Sequence, residues 1–153
     1  MSTIIAFGCD HASFPVKEKI LDFLKSEGHK VIDCGCFSVE SIDYPDYAEI
    51  ACKYVAKGEC EKGILACGSG VGMSIAANKF YGIRAALCYS DEIAVLAAKH
   101  NDANVLCVGS RFFSSEQINK WIKIWLGTPF EERHLKRIRK ISAIEEKYLR
   151  KIK

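Results

Sequence analysis

Apolar residues fall along the chain in two alternating patterns, short continuous runs and longer stretches that repeat every three or four positions. Thr3-Ile4-Ile5-Ala6-Phe7-Gly8 reads as a first strand, ended by the polar turn Cys9-Asp10-His11. Pro15 opens a helix through about Glu27, with Val16, Ile20, Leu21 and Leu24 on one face and Gly28 as its stop. Lys30 to Cys34 is a second strand, and Pro45 to Lys57 a second helix closed by Gly58. Gly63 to Cys67 is a third strand, followed by a glycine-rich loop and a helix through Lys79. Ile83 to Cys88, a helix from Asp91 to Lys99, and Asn104 to Gly109 complete five strands. Ser114 caps a helix carrying Trp121 and Trp125, which stops at Gly127. Pro129 then opens a last basic helix to about residue 150, with Leu135, Ile138, Ile141, Ile144, Tyr148 and Ile152 in one stripe.

Strict alternation of strands and helices predicts a three-layer α/β fold: a five-stranded, parallel, Rossmann-like sheet of flavodoxin-like order, covered on both faces. In such sheets ligands bind beyond the carboxyl ends of the strands, so polar residues that follow strands carry the most information. The final helix is an extra element whose apolar stripe needs a partner surface, and a second subunit supplies one. A chain of 153 residues suits one domain over 1–153.

Composition narrows the class. Hydrophobic residues at 49% and charged residues at 27% are ordinary for a soluble domain. No apolar run approaches the roughly 20 residues of a membrane span, and Met1 to Asp10 lacks a basic leader, so a cytoplasmic protein is expected. The net charge of +3 is uneven: residues 133–153 hold nine Lys/Arg against Glu145 and Glu146, +7 for the tail and −4 for the rest. A basic tail fits nucleic acid, a solvated helix face, or arginines reaching a small anion. Arg133 and Arg137, four apart, share a helix face, and two guanidinium forks suit a phosphate dianion.

Eight cysteines are the unusual number. Several lie inside strands, and Cys34-Gly35-Cys36 has the wrong spacing for zinc and no second half. Most therefore read as small buried hydrophobes in a reducing compartment, with no metal and no cofactor implied. Cys67 differs by its setting. In Cys67-Gly68-Ser69-Gly70-Val71-Gly72 three glycines let N–H groups crowd inward at a helix start, which favours an anion such as a phosphate, a carboxylate or an enediolate. The same field favours a thiolate at the loop's lip. A dinucleotide loop has a different spacing, G-x-G-x-x-G, and follows the first strand, so nucleotide binding ranks second. Asp10 and His11 also follow a strand, although an Asp-His pair serves equally as a turn and helix cap. His100-Asn101-Asp102 reads alone as a helix end with Asn101 as stop residue, Tyr44 in the loop before the second helix serves equally as a packing aromatic, and Arg111 is a cation following the fifth strand.

Taken together, Gly8-Cys9-Asp10-His11, Asp43-Tyr44-Pro45, the Cys67–Gly72 loop, Ala76-Ala77-Asn78-Lys79, Gly82-Ile83-Arg84-Ala85, His100 to Val105, and Arg133-His134 with Arg137 resemble the type B ribose-5-phosphate isomerases. That family also holds galactose-6-phosphate isomerase subunits and allose-6-phosphate isomerases. The resemblance implies an aldose–ketose isomerase of pentose phosphate metabolism, acting on ribose 5-phosphate and ribulose 5-phosphate without cofactor or metal. Six-carbon sugar phosphates are the alternative substrates, and a non-catalytic nucleotide- or RNA-binding module is the distant one. It implies Cys67 as the base and Gly68, Ser69, Gly70, Val71 and Gly72 as the hole for the enediolate. His100, aided by Asp10, would open the furanose ring, and Asn101 and Tyr44 would contact hydroxyls. His11, Arg111, Arg133 and Arg137 would hold the phosphate. A dimer or tetramer with sites shared across the interface, and no nucleic-acid or membrane partner, is implied as well. One branch of the family uses a glutamate base at the position of Met73; here Met73 accepts no proton and Cys67 is present, which places the chain in the thiolate branch.

Overall fold

The three central strands are buried along nearly their whole length because helices cover both of their faces. The computed structural model describes residues 2–149, in which five parallel strands lie in the order β2-β1-β3-β5-β4. They are β1 (Ile4–Cys9), β2 (Lys30–Asp33), β3 (Lys62–Cys67), β4 (Ala85–Leu87) and β5 (Val105–Gly109). Between and after them run α1 (Phe14–Ser26), α2 (Tyr44–Ala56), α3 (Val71–Ala77), α4 (Asp91–Lys99), α5 (Ser115–Gly127) and α6 (Leu135–Tyr148). The two-residue alternation of each strand sends Ile5, Phe7, Ile64, Ala66, Leu106 and Val108 into a core with α1, α4 and α5. Ala6, Leu65, Cys67, Val105 and Cys107 point the other way, into a core with α2 and α3. Helix starts follow the expected chemistry: Ser114 Oγ accepts from the Gln117 N–H at 3.3 Å while Gln117 Oε1 accepts from the Ser114 N–H at 3.1 Å, a closed capping box.

The parallel sheet and its two helical layers match the reading from sequence, and the order begins 2-1-3 as in flavodoxin-like sheets. The last two strands are exchanged, with β5 inside and β4 at the edge. Burial explains the exchange. All five residues of β5 are buried, whereas the three of β4 are half-buried, so β5 takes the central place that has two neighbours.

The last helix starts later than Pro129 predicts. Thr128 and Glu131 are extended, the Glu131 N–H donates to the Lys99 carbonyl at 2.9 Å, and one tight turn, Glu132–His134, precedes α6. Pro129 biases Thr128 away from the helical region, and the bond to α4 diverts the chain before it coils. Along α6, Ile138 and Glu145 are buried, and Glu145 Oε1 accepts from the Gly82 N–H at 3.2 Å. Ile141, Ile144 and Tyr148 of the stripe stay exposed, while Ile152 and residue 150 lie outside the described residues.

Candidate active site

Parallel register brings three strand ends level. Cys9 pairs with Ala66, and Cys67 with Gly109, so Asp10-His11, the Cys67 loop and Ser110-Arg111 emerge along one edge. Cys67 is 4% exposed at the end of β3, and the Gly70 N–H donates to its Sγ at 3.1 Å. Gly70 takes φ +79, and a Cβ there would lie 2.8 Å from the Val108 carbonyl carbon, so this turn needs glycine. The Ser69 hydroxyl accepts from the Val71 N–H at 3.2 Å, which holds the loop at the start of α3.

Two side chains press on this loop. A Cβ at Gly68 would meet Arg111 Nη1 at 3.0 Å, so the guanidinium lies directly against Gly68. A Cβ at Gly72 would meet the Tyr44 hydroxyl at 2.8 Å, which places the phenol of Tyr44, from the start of α2, over Gly72. Both glycines leave room for a large side chain from another element. Met73 is fully buried and packs in the core.

Asp10 and His11 are anchored from outside β1. Asp10 is buried, its N–H donates to the Ala66 carbonyl at 3.0 Å, and its Oδ1 accepts from the Ser13 N–H at 3.2 Å, the turn-capping bond the sequence allows. His11 Nδ1 accepts from the Ile42 N–H at 3.2 Å. Ser13 and Ser110, to which the sequence reading gave no role, bond hydroxyl to hydroxyl at 2.7 Å and tie the Asp10 turn to the Arg111 turn.

The remaining candidates lie elsewhere on the chain. α4 returns from the carboxyl end of β4 to the amino end of β5, so His100 and Asn101 stand at the opposite edge of the sheet. β5 alone separates the two edges by about 17 Å, five residues at about 3.3 Å each. The left-handed residue after α4 is Asp102, at φ 45, and not Asn101. The His100 ring stacks on His134 with centroids 4.1 Å apart, and Arg137 Nη1 lies 3.0 Å from His134 Nδ1. Together with Asn101, Arg133 and Ile138 they line a cavity of about 350 Å³. Within one chain, His100, Asn101, Arg133 and Arg137 therefore do not meet Cys67, Asp10 or Arg111.

Glu131 organises this second cluster. Hydrogen bonds from Lys99 Nζ at 2.8 Å and Arg133 Nε at 2.6 Å hold its carboxyl down at about 2. Burial, with Arg133, His100 and Arg137 nearby, lowers the pKa of His134 and favours its neutral ring. His100, Glu131 and His134 are metal-ligating types within 4.8 Å of one another. Lys99 and Arg133 already occupy the carboxylate, and the surplus of positive charge suits an anion better than a cation. Neither Glu131 nor His134 was given a role from sequence, although Glu-x-x-His at three-residue spacing was visible.

Six of the other seven thiols are set apart chemically. All eight cysteines are free. Burial pushes Cys34 and Cys52 up to about 12 and Cys88 up to about 11, and raises Cys9, Cys60 and Cys107 as well. Among the described residues no helix is long and apolar enough to cross a membrane.

This layout has known counterparts. The ribose/galactose isomerase family matches residues 5–141. Ribose-5-phosphate isomerase B of Escherichia coli is 49% identical over 144 residues, covering 94% of this chain and 97% of that protein. A galactose-6-phosphate isomerase subunit of Clostridium acetobutylicum is 40% identical over 84% of this chain and 74% of its own. The solved structure of Clostridium thermocellum ribose-5-phosphate isomerase B superposes with a TM-score of 0.92 at 44% identity, covering 95% of this chain and 99% of that one. The chain belongs to the ribose/galactose isomerase family and is an isomerase.

Proposed function

We propose that the chain interconverts ribose 5-phosphate and ribulose 5-phosphate, with Cys67 as the general base. The observation that carries this reading is the Gly70 N–H on the Cys67 sulfur, in a glycine-rich loop that leads into the start of α3. The Cys67 thiolate takes the C2 proton of the open-chain aldose. The C–H electron pair becomes the C1–C2 double bond, and the carbonyl pair moves onto O1. A proton passes from O2 to O1, and the thiol returns its proton to C1 as C2 becomes the carbonyl. Preorganised N–H groups of Gly68 to Gly72 stabilise the oxyanion, and losing one such donor costs about 100- to 1,000-fold in rate.

Cluster placement supports a site completed by a second copy of the chain. Asp10, His11, Tyr44 and Arg111 stand with Cys67, while His100, Asn101, Arg133 and Arg137 would come from the partner, His100 opening the ring beside Asp10. His11 and the three arginines then hold the phosphate, whose binding energy positions the reacting carbons. The exposed Ile141, Ile144 and Tyr148 suit coverage by that partner. Eight free thiols suit a reducing, cytoplasmic compartment.

The test is Cys67→Ala assayed in deuterated water. Wild type should place solvent-derived label at C2 of recovered aldose, and the variant should lose turnover. Full activity in Cys67→Ala would sink the assignment of the base. A second reading, turnover of six-carbon sugar phosphates, draws on the galactose-6-phosphate isomerase relative. Side-by-side kcat/KM on ribose, allose and galactose phosphates separates the two.

A further inference from the structure

A lysine stands on the buried stripe of α1. Lys17 lies one turn before Ile20 and Leu21, and it is 2% exposed. A buried ammonium must replace the water it has lost. Lys17 Nζ donates to the Cys36 carbonyl at 2.7 Å, pairs with Asp33 Oδ2 at 2.7 Å and lies 4.2 Å from the centre of the Phe37 ring. All three partners belong to one stretch, the end of β2 and the chain leaving it.

That stretch serves the site in two ways. Gly35 and Cys36 continue the sheet beside β1: the Cys9 N–H donates to the Gly35 carbonyl at 2.6 Å, and the Cys36 N–H to the Cys9 carbonyl at 2.8 Å. Asp10 and His11 come next in the chain. Farther along, the Ile42 N–H donates to His11 Nδ1. Nδ1 is thus the acceptor, and the neutral ring carries its proton on Nε2. Asp33 itself accepts from the Gly35 N–H at 3.0 Å, so the Lys17–Asp33 pair grips the bend at both ends.

We propose that Lys17 is a positioning residue: by holding residues 33–42 against β1 it sets the tautomer and orientation of His11 toward the sugar phosphate. An ammonium can bind a carboxylate, a carbonyl and a ring face at once, whereas a methionine of similar length fills the space and binds none of them. The substrate used as probe rests on the isomerase reading above.

The experiment compares wild type, Lys17→Met and Asp33→Asn by thermal melting, by kcat and KM for ribose 5-phosphate, and by ¹⁵N shifts of the His11 ring. A purely structural role would lower the active fraction, and so kcat, while leaving KM and the His11 signals alone. The proposal expects KM to rise about tenfold in Lys17→Met, the scale of one charge-assisted hydrogen bond, with a smaller change in kcat. The His11 shifts should move from the Nε2–H tautomer toward an average of both. Asp33→Asn keeps an acceptor for Gly35 and should shift both readouts in the same direction by less. If Lys17→Met fails to fold, Asp33→Asn decides. Unchanged KM and unchanged His11 shifts in the folded variants overturn the proposal. Should wild type not turn over ribose 5-phosphate, the ribose assignment fails, and the His11 shifts alone still decide the role of Lys17.

Discussion

The Gly70 amide sits 3.1 Å from the Cys67 sulfur, three residues along the same loop, with Gly70 in the left-handed region at φ +79. Substituting this glycine therefore tests the loop without touching the thiol. Gly70→Ala places an L-residue at φ +79, a conformation that costs about 1–2 kcal/mol, and brings its Cβ within 2.7 Å of Leu87 Cδ1. We expect Tm to fall by at least about 2–4 °C and kcat by about 100-fold. Gly28→Ala is the control, since Gly28 also has positive φ but open space around it. Melting curves and kcat should show both variants destabilised and only Gly70→Ala impaired in rate.

Thiol chemistry separates Cys67 from its fellows. Burial raises the pKa of six thiols and Cys36 is 1% exposed, whereas Cys67 faces an N–H donor in a loop. Brief iodoacetamide treatment near neutral pH, followed by peptide mapping, should find label at Cys67 first. Ribose 5-phosphate should slow that labelling. Equal labelling of Cys34 or Cys88 would contradict the ranking.

The separation of the two clusters makes a subunit-mixing test decisive. Cys67→Ala and His100→Ala are each expected to be nearly inactive alone. If the proposed shared-site dimer forms, refolding the two together gives mixed dimers in which one site carries both defects and the other carries none. Random pairing then restores about a quarter of wild-type activity, as expected for a two-fold dimer with shared sites. Activity that stays at the single-variant level after verified mixing would mean that each chain builds its own site.

Acid should weaken the Glu131 cluster in two steps. Both Glu131 and His134 have folded pKa values below their ordinary ones, so the unfolded chain binds more protons and stability falls as pH falls. The His134 contribution is full above about pH 6.5 and declines below it. The Glu131 contribution is full above pH 4.5 and is lost as pH drops toward about 2. Denaturant titrations across pH 3–8 should show His134→Gln flattening the upper part of this slope and Glu131→Gln the lower part.

Much of this was legible in the order of residues. Strand and helix positions followed from periods of two and of three to four, which depend on neighbours a few residues away. The Cys67 loop was legible for the same reason, because glycines, thiol and helix start are contiguous. Strand order was not, since the place of β5 between β3 and β4 depends on which strand has two faces and two edges to bury. Lys17 also escaped, although it sits on the stripe of Ile20 and Leu24, because what makes a buried lysine tolerable is Asp33, sixteen residues away and adjacent only after β1 and β2 pair. The sequence by itself determined the elements and the contiguous Cys67 loop, and it held the polar residues proposed to work with that loop. Only the tertiary structure decided that those residues divide between two edges of one sheet, because a helix that follows a parallel strand must carry its end back to the other side.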